Sequence, residues 1–151
     1  MTSGKAIKNI LEEQINAYKT LLDLLKKERA CLVDINADKI EEISKEKDTV
    51  VMRLRLLEEE RVRLMKKFAE DSGDMKAGNL EELARHTGDD TFSALRLQMI
   101  SLLQSIEEMN RFNSILLDRS LRHVKTSTSF FSSFTTHHMP RTTGVLLSKE
   151  T

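Results

Sequence analysis

The sequence predicts an all-α fold: a long antiparallel helical hairpin with a third long helix packed alongside, followed by a flexible or conditionally ordered C-terminal tail. Three observations carry this. Charged residues make up 32% of the 151 positions and aromatics 5%, with one proline, five glycines and no tryptophan, a composition of long helices and not of sheets. Apolar residues recur in alternating steps of three and four over three long stretches, the spacing that lines one face of a helix. Between the stretches stand clusters of Asn, Asp and Gly, where helices end.

The first helix is expected from Lys5 to Ile35. Leu11, Tyr18, Leu25 and Leu32 repeat every seven residues, Ile7, Leu21 and Ile35 take the complementary positions, and Ile15 and Leu22 widen the stripe. Glu12, Glu13, Lys19, Lys26 and Lys27 fill the remaining, solvated face. Asp34, Asn36 and Asp38 cap and turn more readily than they propagate, so a tight turn is expected at Asn36.

The second helix follows from Lys39 to Ala69, with Ile40, Ile43, Lys47, Val50, Leu54, Leu57, Arg61, Leu64 and Phe68 on one seam. A short turn makes two such helices antiparallel neighbours. Lys47 and Arg61 interrupt the seam. Each can bury its stem and keep its charge at the edge, or pair with a glutamate across the interface. If Lys47 only sets register, Lys47→Leu is expected to be tolerated or stabilising.

Residues 70–89 form a connector, bent at Gly73, Gly78 and Gly88, with a short capped helix at Asn79-Leu80-Glu81-Glu82-Leu83 and His86 near its end. The third long helix runs from Asp90 to Lys125. Phe92, Leu95, Met99, Leu102, Ile106 and Met109 form its seam, continued by Asn113 and Leu116, and Ile100, Leu103, Leu117 and Leu121 form a second row beside it. Because the apolar surface is wider than a two-stranded coil requires, this helix is expected to be the one that the others cover. Asn110 and Asn113 place two amides three residues apart, where the seam turns polar.

After Lys125 the chain becomes rich in Ser and Thr, with Phe130, Phe131 and Phe134 at helical spacing and Pro140 and Gly144 further on. The organisation is therefore a helical bundle domain over residues 1–125 and a tail over residues 126–151, which orders when a partner covers its phenylalanines.

Several function classes are excluded by what the chain lacks. Its 24 basic and 24 acidic residues cancel, leaving no global field for nucleic acid or an anionic membrane. The C-terminal quarter has six basic residues against Asp118 from Arg111 to Lys149, too sparse a cluster for nucleic acid. Arg53, Arg55, Arg61, Arg63, Lys66 and Lys67 are likewise interrupted by Glu58, Glu59 and Glu60. Cys31 is a lone, small apolar residue, not a nucleophile. Without a signal peptide or an apolar run of about 20 residues, the chain reads as cytoplasmic with no membrane insertion.

No phosphate-binding glycine loop, nucleophile elbow or zinc-spaced cysteine set occurs. A di-iron bundle requires glutamate three residues before histidine, and Leu83, Ser120, Phe134 and Thr135 hold those places. His137 and His138 lack a third ligand. The expectation is a non-enzyme with no cofactor and no metal.

The layout resembles the FlgN-type flagellar export chaperones over residues 5–125. The resemblance is carried by Leu21, Leu22, Leu25 and Leu32, by the turn Asp34-Ile35-Asn36-Ala37-Asp38, by Ile40, Ile43, Lys47 and Leu54, and by Asn110 and Asn113 ahead of Leu116, Leu117, Ser120 and Leu121. It implies a cytoplasmic type III export chaperone that holds hook–filament junction proteins by their C-terminal helices, prevents premature assembly and brings them to the export gate, with the export ATPase apparatus as a further partner. In related chaperones an aromatic near the end of the last helix contacts the gate, whereas the one tyrosine here is Tyr18, so gate residues do not carry over. The expected client surface is Asn110, Asn113, Leu116, Leu117, Leu121, Val124, Phe130, Phe131 and Phe134. The alternative is a structural coiled-coil adaptor or self-associating helical protein, such as a secretion ATPase regulator, whose seam would run evenly to both ends.

Overall fold

The computed structural model describes residues 3–73 and 79–135 and places four helices: α1 (Ser3–Asp34), α2 (Ala37–Ser72), α3 (Leu80–Thr87) and α4 (Asp90–Thr135). The fold is all-α, with no strand among the described residues. Two compact units divide the chain, Met1–Asn113 and Ser114–Thr151, so α4 runs through the division. Gly78, His137, His138, Pro140 and Gly144 lie outside the described residues.

In the first unit α1 and α2 form the expected hairpin. Their turn is two residues long. Asn36 N–H donates to the Cys31 carbonyl at 3.0 Å, which closes α1 in a Schellman arrangement with Ile35 at the left-handed position, φ 54°. Asn36 then serves as N-cap of α2, its side chain accepting from Lys39 N–H. Ile35 was expected on the buried face of α1. Instead it is the turn residue, 59% exposed, because the caps end the helix before its heptad position is reached.

The element at the centre is α1, not α4. Ile7, Ile10, Leu11, Ile15, Ala17, Leu21, Leu24, Leu25 and Leu32 are buried along it, together with Gln14 and Glu28. On α4 the buried residues among those described are Phe92, Leu95 and Asn113. These α1 positions span about half of the helix circumference, which is the width needed to accept α2 on one side and α4 on the other. The seam of α4 is met as predicted: Met99, Leu102, Ile106 and Met109 pack half-buried against this core. Its second row remains outside, with Ile100 half-buried and Leu103 exposed.

Along α2, Ile43, Leu54 and Leu57 are buried, while Ile40, Val50, Leu64 and Phe68 are half-buried. Met65 is fully buried and belongs to the same cluster as Leu83 of α3, a core position outside the α2 seam read from the sequence. The connector is built from caps. Gly73 (φ 79°) closes α2, Asn79 caps α3 by accepting from Glu81 and Glu82 N–H, and Gly88 (φ 67°) closes α3. The His86 ring meets Phe68 edge-on at 5.9 Å. Asp89 accepts from Thr91 N–H at the start of α4 and pairs with Lys8 of α1, whose ammonium also lies 5.3 Å from the Phe92 ring.

In the second unit the helix continues ten residues past Lys125, to Thr135. Low helix propensity from Thr126 onward predicted an earlier end. Within the helix the Thr126 hydroxyl donates back to the Arg122 carbonyl at 2.8 Å, the bond a threonine makes when it stays inside a helix. Arg122 also pairs with Asp118 one turn earlier.

Candidate functional site

Polar residues inside the first unit show how the third helix is held. Asn113 of α4 is 3% exposed and donates through Nδ2 to the Leu25 carbonyl at 2.8 Å and to Glu28 Oε1 at 2.9 Å. Glu28 Oε2 accepts from Lys47 Nζ of α2 at 2.6 Å. One carboxylate thus ties α1, α2 and α4. Lys47 makes the cross-helix pair that its seam position suggested.

A second polar layer sits further along the hairpin. Gln14 Nε2 of α1 donates to Glu58 Oε2 of α2 at 2.8 Å, and the same carboxylate accepts from Arg61 Nε at 2.8 Å. Arg61 pairs within its own helix. Its guanidinium holds the Glu58 carboxyl below the usual range against the effect of burial, and Glu58 holds Arg61 up. Burial next to Glu58 raises the Tyr18 phenol. Gln14 and Glu28 were missed as core residues because polar side chains default to the surface. The signal was present, since both fall on the seven-residue repeat of Ile7 and Leu21.

The expected client surface separates by depth. Asn113 is internal and its Nδ2 is committed to Leu25 and Glu28. Asn110 is exposed, Leu116 half-buried, and Leu117 and Leu121 are 45% and 53% exposed. Val124, Phe130, Phe131 and Phe134 stand within α4, but their side chains lie outside the described residues. Among the described side chains of α4, Leu97, Leu103, Phe112, Ile115, Leu117 and Leu121 are large, apolar and exposed. At about 100° per residue these fall on different sides of the helix, Leu97 and Ile115 on one and Leu103, Leu117 and Leu121 on another, and single exposed leucines are ordinary on a protein surface.

Among the described residues no group of His, Cys, Asp or Glu is arranged to hold a metal ion, and no helix is long and apolar enough to cross a membrane. A family model described as FlgN protein matches residues 1–141. No curated protein matches the chain, and no solved structure does.

Proposed function

The chain belongs to the FlgN family of flagellar export chaperones, and from that premise we propose that it works in the cytoplasm as a carrier for hook–filament junction proteins, binding their C-terminal helices and delivering them to the export gate. It does so by covering surface and makes or breaks no covalent bond. The observation that supports this reading is the exposed pair Leu117 and Leu121, one helical turn apart on α4.

A junction subunit that assembles through helix packing leaves an apolar stripe open before assembly. A second stripe of helical spacing covers it reversibly. In this reading Leu116, Leu117, Leu121, Val124, Phe130, Phe131 and Phe134 meet the client, and Asn110 lies at the edge. Asn113 acts from inside by fixing α4 on the hairpin. Residues 1–125 serve as the scaffold and residues 126–151 add to the contact. Delivery needs an affinity that can be reversed, which a contact of a few leucines and phenylalanines supplies.

Pull-down with the full chain from a flagellated cell tests the proposal. Hook–filament junction proteins are expected to co-purify. Their absence, with an unrelated coiled-coil protein captured in their place, would turn the reading towards the adaptor alternative.

A further inference from the structure

Between α1 and α4 of the first unit runs an open groove of about 400 Å³. Leu22 and Met109 give it an apolar floor, Lys26 and Arg29 of α1 form one lip, and Phe112 and Glu108 of α4 form the other. Phe112 is 44% exposed, and the Arg29 guanidinium lies 4.7 Å from its ring centroid. A guanidinium over an aromatic face keeps its in-plane N–H donors available, because the ring engages only its face. Among the described residues neither Lys26 nor Arg29 has a carboxylate partner, whereas Arg61 and Arg111 are satisfied by glutamates of their own helix. Two cations one helical turn apart thus border an apolar trough.

From this juxtaposition we infer that the α1–α4 groove docks an amphipathic helix of the export client whose apolar stripe is flanked by carboxylates three or four residues apart. The inference rests on the client reading above and adds the chemistry of what is recognised. One large apolar side chain of the client seats on Leu22 and Met109 against Phe112. Carboxylates one turn apart on the same helix meet Lys26 and Arg29, whose own spacing of three residues is the matching step. Glu108 on the opposite lip repels an acidic face turned towards α4, so the helix enters in one orientation. The same glutamate disfavours a phosphate backbone, which would present negative charge to both lips.

The test uses the full chain and a purified hook–filament junction protein, titrated by calorimetry. Lys26→Glu/Arg29→Glu and Phe112→Ser are each expected to weaken binding at least tenfold with an unchanged circular dichroism spectrum. Lys45→Glu, an exposed charge on α2, is the control and should leave affinity unaltered. Binding by the unmodified chain that the groove variants leave intact overturns the groove and preserves the client reading. If no junction protein binds the unmodified chain, the client reading fails. The groove is then decided by two designed helical peptides about twenty residues long, long enough to hold a helix, one with glutamates and one with lysines flanking a leucine stripe. A shift of the Met109 methyl resonance with the glutamate peptide alone supports the inference. Equal responses, or none, overturn it.

Discussion

Asn113 and Glu28 form a hydrogen bond of 2.9 Å between α4 and α1, and the other oxygen of the same carboxylate is taken by Lys47 of α2. Removing one member is therefore different from removing all. Lys47→Leu alone leaves a largely buried carboxylate with its charge uncompensated, which reverses the expectation that this substitution is harmless. It should destabilise the protein by about 1–3 kcal/mol. Lys47→Leu combined with Glu28→Leu and Asn113→Leu should recover that loss, because apolar groups of similar volume replace the whole layer. Urea unfolding of both variants checks this, and a higher midpoint for Lys47→Leu alone would count against the layer.

Ile35 carries the cost of the hairpin turn. A β-branched residue at φ 54° sits about 1–2 kcal/mol above a relaxed conformation, whereas glycine takes it without strain. Since Ile35 is exposed, its replacement gives up little burial. Ile35→Gly should raise stability by roughly 0.5–1 kcal/mol after allowing for the greater freedom of glycine in the unfolded chain. A lower melting temperature for this variant would mean that the side chain contributes something its exposure does not reveal.

The pair at the start of α4 sets the acid response. Lys8 and the Thr91 hydrogen bonds hold Asp89 at about 2, below the ordinary 3.8. A carboxyl depressed in the folded state stabilises above its unfolded pKa, and that contribution disappears as pH falls through the folded value. Stability should therefore decline between about pH 4 and pH 2, with Glu58, also depressed by Arg61, acting in the same direction. Asp89→Asn keeps the cap and removes the charge, so its melting temperature should fall less steeply over this interval. A slope equal to that of the unmodified chain would show that Asp89 takes no part.

Much of this architecture was legible in the sequence, and the failures share one cause. Periodicity located α1, α2 and α4 and the caps at Asn36 and Asn79, because those signals are local. It did not reveal which helix is central. Leu103 and Leu11 look alike in sequence, yet Leu11 is buried between helices and Leu103 faces outward. A stripe reports that an apolar face exists, not whether its own chain or another covers it. Gln14 and Glu28 were hidden for the converse reason, since their burial is made possible by partners on other helices, Glu58, Lys47 and Asn113. The Arg29–Phe112 groove also needs two helices side by side before it exists.

The proposed working surface on α4 gives the most direct test of function. Leu117 and Leu121 are about half exposed, so Leu117→Asp/Leu121→Asp costs little core burial and the variant should melt within a few degrees of the unmodified chain. Its affinity for a junction protein should fall by at least tenfold, since a carboxylate placed in an apolar contact is desolvated without a partner. A chain ending at Lys125 is expected to remain helical and bind more weakly, having lost Phe130, Phe131 and Phe134. The helix already continues to Thr135, which bears on how that loss should be interpreted. A segment that folded on binding would bear roughly 1–2 kcal/mol per residue of backbone ordering, and its complex would gain helicity over the separate components. With the helix preformed, circular dichroism of the complex should equal the sum of its parts. Equal affinity of the truncated and full chains would remove the phenylalanines from the contact and leave it to Leu116, Leu117 and Leu121, whereas collapse of the truncated chain would assign residues beyond Lys125 to the scaffold.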